Sequence, residues 1–243
     1  MVRTLLCAIV ASALALLVAG CIRPKDSSKT DARREKRASD ALDDKTAHAP
    51  RWRIAPICID PGHGGRDSGT VGVDGTLEKT LVLDVAHRVR DRLEAEGATV
   101  VMTRDTDRFI SLARRAAISN DAGAGLFVSI HANGFYKPDV HGFELYYFTG
   151  CSSNEAPRAA DAIRAAIAAA TDARDRGVRS ADYSVLAATD CPAVLVEVGY
   201  LSNPGEAARL AENDYRQRIA DAIADGIIAF GVEPADQPPE AHP

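Results

Sequence analysis

From residue 54 onward, short runs of apolar and β-branched residues alternate with longer stretches that carry a helical stripe, and this alternation limits the fold more than anything else in the chain. Ile54 to Ile59, Ala98 to Thr103, Leu126 to Ile130, Gly142 to Phe148 and Ala193 to Val198 have the composition of buried strands. Between them, Glu78 to Glu96 repeats apolar residues at Leu81, Val82, Val85, Val89 and Leu93, and Gly97 supplies a stop. Ser111 is placed to cap a helix through Ile118, and Ala159 to Ala170 is an Ala/Ile helix. Asn203-Pro204 opens the C-terminal helices, with Asn at the cap and Pro at the first helical position, and Ile219 to Phe230 closes the domain. Strands separated by helices predict an α/β fold: a mostly parallel central sheet flanked by helices on both faces. With 243 residues, 46% of them hydrophobic, one substantial core is expected in a single domain.

The ends do not share this pattern. Arg3 followed by the apolar stretch Leu5 to Ala19 is too short for a comfortable membrane span and is expected to be a signal peptide over residues 1–20. Its close, Leu17-Val18-Ala19-Gly20-Cys21, resembles the bacterial lipoprotein signal, which implies export, a lipid anchor at Cys21 and a membrane-attached protein facing the periplasm or cell wall. Residues 21–53 are charged and poor in large apolar side chains, so they are expected to be a flexible tether, and the Pro-rich residues 233–243 a disordered tail. Residues 22–53 carry ten Lys/Arg against six Asp/Glu, whereas 54–243 carry eighteen against twenty-eight. That acidic body argues against a nucleic-acid enzyme, which needs a basic footprint to neutralise phosphates. Cys58 sits in an apolar run and is expected to be a buried small hydrophobe. Cys151 and Cys191 fall in loops and are left open as a pair in an oxidising compartment.

Four residues stand where apolar runs give way to polar ones: His63 after Ile59-Asp60-Pro61-Gly62, Glu78 at a helix start, His131 after Ser129-Ile130, and Glu197 after Ala193-Val194-Leu195-Val196. Each has an ordinary explanation. His63 suits a surface turn, Glu78 a helix dipole and His131 a core histidine. Glu197 is harder to dismiss, because an unpartnered buried carboxylate costs several kcal/mol. In a parallel sheet ligands bind beyond the carboxyl ends of the strands, so all four are expected to meet at one edge. Two imidazoles and a carboxylate make a three-ligand catalytic zinc set, and the second carboxylate would serve as general base. His87, on the long helix, and His141, in a loop, are set aside as ligands. Glu144 is the main rival carboxylate, and its mid-strand position is taken to suit a substrate-side or structural role. Asp67, Arg104 and Asn133 fit either hydrogen bonding to the histidines or plain turn capping and ion pairing.

The combination resembles a known family. Ile59-Asp60-Pro61-Gly62-His63-Gly64-Gly65-Arg66-Asp67-Ser68-Gly69 is closely similar to the opening motif of the zinc-dependent N-acetylmuramoyl-L-alanine amidases. Glu78-Lys79, Thr103-Arg104-Asp105-Thr106-Asp107, Ser129-Ile130-His131-Ala132-Asn133 and Val196-Glu197-Val198-Gly199-Tyr200-Leu201-Ser202-Asn203 follow in the family's order, so the resemblance covers about residues 56–230. It implies one zinc ion bound by His63, Glu78 and His131, with Glu197 as the catalytic glutamate. The implied substrate is peptidoglycan, cut between the muramic acid lactyl group and L-alanine; separately, residues 54–232 are expected to be the catalytic domain and the chain to be a monomer. A non-catalytic wall-binding lipoprotein on the same fold, or a zinc amidase or peptidase for another N-acyl substrate, are the alternatives. Some relatives carry a helical insertion after the second histidine motif that blocks the zinc; the short connection from Asn133 to Gly142 predicts an open cleft here.

Overall fold

The computed structural model describes residues 51–150 and 155–232. The expected signal peptide, the Cys21 anchor, nearly all of the tether, the tail and Cys151, with its pairing to Cys191, lie outside the described residues. The body holds β1 (Ile57–Pro61), α1 (Glu78–Ala95), β2 (Val100–Met102), α2 (Leu112–Asp121), β3 (Leu126–Asn133), β4 (Phe143–Tyr147), α3 (Glu155–Ala170), β5 (Asp175–Ser180), α4 (Ser184–Ala187), β6 (Ala193–Tyr200), α5 (Pro204–Ala211) and α6 (Asn213–Gly231). The six strands form one sheet in the order β2-β1-β3-β6-β4-β5. β2, β1, β3 and β6 are mutually parallel, β4 runs antiparallel to β6, and β5 runs parallel to β4. The sheet is thus mostly parallel, as the alternation predicts.

Strand alternation divides the sheet into two unlike faces. Ile57, Ile59, Val128, Ile130, Phe143, Leu145, Val194 and Val196 turn to the larger core, where they meet the apolar stripes of α1, α3 and α6. These side chains are essentially inaccessible to water, and each such burial contributes about 1.5–3 kcal/mol against an exposed reference. Cys58, Phe127, Ala193 and Leu195 turn the other way and pack with Val185 and Leu186 of α4 into a much smaller cluster. Burial pushes the Cys58 thiol up to about 12, consistent with an inert apolar filler.

Three local features locate the site. Pro61-Gly62 ends β1 and sends the chain into the glycine-rich loop that precedes α1. Ser111 accepts a hydrogen bond from the Arg114 amide and caps α2 as expected, and Asn203 does the same for α5 through the Glu206 amide. The ordered packing begins inside the span assigned to the tether: the Trp52 indole donates to the Glu96 carbonyl and Arg53 Nε to the Phe230 carbonyl. No helix among the described residues is long and apolar enough to cross a membrane.

Candidate metal centre

His131 and Glu197 are register partners on adjacent parallel strands, and Glu144 of β4 is the register partner of Glu197 on its other side. The alternation that sends Ile130 and Val196 into the large core turns His131 and Glu197 to the thinly covered face. His63 and Glu78 reach them from the ends of the β1–α1 loop. Among the described residues, His63, Glu78 and His131 form the group able to hold a metal ion, each offering a ligand atom within 4.8 Å of the others. Glu78 Oε1 lies 3.1 Å from His63 Nε2 and 3.0 Å from His131 Nδ1.

The folding of Glu78 back over its own helix start is fixed by the main chain. The amide of Thr70 donates to its Oε2 at 2.7 Å, and the amide of Ala132 to its Oε1 at 3.0 Å. Burial favours the protonated carboxyl, but bonds from His131 and His63 outweigh it and hold Glu78 well below the usual carboxylate range. For His63, burial disfavours the charged ring, while Glu78 and Asp67 outweigh burial and raise its pKa. A carboxylate kept ionised between two imidazoles is the donor set that a divalent cation requires.

The loop is built tightly around these atoms. His63 has φ 57°, a left-handed conformation uncommon for a residue with a side chain and costly enough to persist only when its surroundings impose it. At Gly69, φ is +64° and an added Cβ would lie 2.5 Å from Glu78 Oε2 and 2.7 Å from His63 Cδ2, so only glycine fits. Arg104 is wholly buried and donates to the carbonyls of Pro61, Gly62 and Lys79 at 2.7–3.0 Å. Arg115 pairs with buried Asp60 at 2.7 Å and bonds the carbonyls of Pro61 and His63. Ser129 Oγ also donates to Asp60 at 2.7 Å. These polar groups hold the His63 backbone in place. Asp60 and Arg115 escaped the sequence reading. A buried-looking Asp after Ile57-Cys58-Ile59 was the available signal for the first; nothing in Leu112 to Asp121 marked the second.

Glu197 is 9% exposed, and its Oε2 is buried with no hydrogen-bond partner among the described residues. Burial, then the charges of Glu78 and Glu144, push its carboxyl well above the usual range. An orphaned buried carboxylate oxygen is costly unless a cation or substrate completes it, and it fits the metal-binding reading of the three neighbours. His63, His131 and Glu197 line a cleft of about 360 Å³ with Leu112, Tyr183, Val185 and Leu195. The connection from Gly134 to Gly142 contains no helix, so none from that segment covers this cleft.

The other singled-out residues fall as follows. Glu144 is as close to the metal edge as Glu197, contrary to the mid-strand argument, because β4 runs antiparallel and brings its start to that end. Its carboxylate is committed to Tyr200 Oη, Asn133 Nδ2 at 3.2 Å, and Arg179. Asp67 caps the turn, its Oδ1 accepting from the Gly69 amide at 3.1 Å, and stands 3.0 Å from His63 Nδ1 as a charge neighbour, off the hydrogen-bonding line. Asn133 caps Gly134 and bonds Glu144 rather than a histidine. Arg104 is held by carbonyls rather than by the expected ion pair. His87 pairs with Asp105 at 2.9 Å and His141 with the Asp139 carbonyl at 2.8 Å.

Comparison with known proteins agrees with this geometry. The family described as N-acetylmuramoyl-L-alanine amidase matches residues 57–229. The N-acetylmuramoyl-L-alanine amidase LytC of Bacillus subtilis is 41% identical over 174 residues, 72% of this chain but 35% of LytC, so this chain spans about a third of that relative. The germination-specific N-acetylmuramoyl-L-alanine amidase of Bacillus subtilis is 34% identical over 198 residues, covering 75% of this chain and 82% of that protein. Among solved structures, the N-acetylmuramoyl-L-alanine amidase AmiC2 of Nostoc punctiforme superposes with a TM-score of 0.68 at 40% identity, over 72% of this chain and 95% of that one. The family match over residues 57–229 takes in His63, Glu78, His131 and Glu197, and the chain belongs to the N-acetylmuramoyl-L-alanine amidase family.

Proposed function

We propose that this chain hydrolyses the amide bond between N-acetylmuramic acid and L-alanine in peptidoglycan, with zinc held by His63, Glu78 and His131 and with Glu197 carrying the proton. The observation behind this reading is the register pairing of His131 with Glu197, which sets a buried carboxylate lacking a partner beside a ready-made three-ligand cluster. Zinc bound there would supply Lewis-acid chemistry, polarising the amide carbonyl and making water nucleophilic near neutral pH.

The chain's own residues do the rest. Glu197 accepts a proton from the attacking water as its oxygen bonds to the amide carbon. It then returns that proton to the nitrogen of L-alanine as the carbon–nitrogen bond breaks. Its raised pKa suits the first half of the cycle, since a carboxylate of ordinary acidity is a weak base and would take the water proton poorly. Leu112, Tyr183 and Leu195 give the cleft apolar walls that exclude bulk water from the reacting atoms. Arg104 and Arg115 fix the backbone on which His63 is presented.

Export and anchoring complete the proposal. A monomer lipidated at Cys21, with the charged residues 22–50 as a tether, would hold the catalytic body against the wall from a membrane surface. Digestion of purified sacculi tests the chemistry: mass spectrometry is expected to show released peptides with a free L-alanine N-terminus and intact glycan. Cleavage within the peptide would refute it. Cys21→Ala is expected to release the protein from the membrane fraction.

A further inference from the structure

We infer that Arg179, with Arg176 beside it, forms a subsite for a carboxylate on the peptide arm of the substrate, about two residues beyond the scissile amide; this deepens the amidase reading and rests on it. The open face of the sheet continues past Glu197. Glu144 is the register partner of Glu197, and Tyr146, two residues on and therefore on the same face, is the register partner of Arg179 on β5. Arg179 Nη1 bonds Glu144 Oε2 at 2.5 Å, and Arg176 Nε lies 3.5 Å from the same oxygen. The guanidinium of Arg179 therefore stands one carboxylate away from Glu197. Cross-strand neighbours have Cβ atoms about 5 Å apart, so the arginine head lies within roughly 10 Å of the catalytic carboxylate.

The charge count is uneven at this point. One carboxylate, Glu144, faces two guanidinium groups and also accepts from Tyr200 and Asn133. The pair thus keeps a surplus positive charge in a body that is otherwise acidic. Arg179 has five N–H donors; besides Glu144 it bonds the Tyr146 side chain and, through Nη2, the Arg176 carbonyl at 3.2 Å, and its side chain is 49% exposed. A planar fork with donors to spare and a wet outer side is suited to a second, incoming carboxylate.

The subsite is continuous with the catalytic cleft. Tyr183 lines the cleft, its ring meets Tyr146 edge-on with centroids 5.2 Å apart, and Tyr146 stands against Arg179 in the sheet. An extended peptide advances about 3.3–3.6 Å per residue, so an acidic second residue starting from an amide at Glu197 brings its carboxylate to this distance. An amide in its place would present a neutral group and lose the charge-assisted contact.

The test uses the zinc-loaded full chain and two synthetic muramoyl peptides that differ only in the residue after L-alanine, glutamate or glutamine. The wild type is expected to favour glutamate about two- to fivefold, through KM rather than kcat, the size of one partly exposed charge contact. Arg179→Met is expected to erase that preference and Arg179→Lys to keep part of it, with zinc content close to wild type in both; Glu144 loses a partner in Arg179→Met, so its unfolding midpoint is expected to fall, and the glutamate-to-glutamine ratio is read on the folded protein. A preference that survives in Arg179→Met, or that is missing from the active wild type, overturns the subsite and leaves the amidase reading intact. A wild type that cleaves neither peptide overturns the amidase reading and the subsite with it.

Discussion

On one face of the sheet, Ile57, Ile59, Val128, Ile130, Val194 and Val196 meet three long helices and leave almost no surface to water. On the other, the intervening positions of the same strands place Asp60, Ser129, His131, Glu197 and Glu144 under a thin cover of α2 and the single turn α4. The first face holds the fold by apolar burial. The second spends that stability on charged groups packed closely enough to shift one another's protonation, and a metal or substrate is required to complete them. The contrast teaches that a two-residue period lets one strand serve both purposes: Ile130 anchors β3 in the core, and His131 beside it is thereby aimed into the site.

Substitutions should separate the two faces. The largest effect is expected from Glu197→Gln, which should lower kcat on peptidoglycan by about two to four orders of magnitude while zinc stays bound, checked by digest assay and metal analysis of the same sample. Near-normal turnover would remove Glu197 from its role. On the core face, Ile163→Ala should cost about 2–5 kcal/mol in denaturant unfolding, and the surviving folded fraction should keep wild-type activity.

A third prediction concerns pH. Burial raises the folded-state pKa of Glu197 above its unfolded value, so at low pH, with both states protonated, it costs nothing. As pH rises through the unfolded value, near 4.3, the unfolded chain sheds a proton that the folded chain retains, and stability falls. Metal-free Glu197→Gln should therefore be more stable than metal-free wild type at pH 7, by about 1–3 kcal/mol, with the advantage vanishing below about pH 4. Equal stability across that range would show that the carboxylate is not penalised by its surroundings. The smallest effect belongs to Leu112→Ala on the cleft wall: at 55% exposure it should change stability by no more than about 0.5 kcal/mol, so any loss of activity there reports on substrate contact.

Much of this was legible in the chain because the strong signals are local. Periodicity placed α1 and the C-terminal helix, and unbroken apolar runs placed β1, β3 and β6, since strands buried on both sides leave no polar alternation to read. The four site residues stood out because each interrupts such a run. What stayed hidden depends on tertiary context. β5, with the sequence Asp175-Arg176-Gly177-Val178-Arg179-Ser180, is a charged edge strand whose pattern resembles a loop. The reversal of β4 follows from a connection that returns without a crossover helix, and that reversal brings Glu144 abreast of Glu197. The grip of Asp60, Arg104 and Arg115 on the His63 loop joins residues more than 40 positions apart and leaves no local trace.

The central claim is that His63, Glu78 and His131 hold one metal ion on the open face and that hydrolysis depends on it. Titrating the metal-stripped chain with zinc while following release of L-alanine N-termini from sacculi tests this most directly. One equivalent is expected to restore cleavage to wild type, and neither binding nor cleavage should return in His131→Ala. Activity that persists after stripping, or full zinc binding by His131→Ala, would contradict the account.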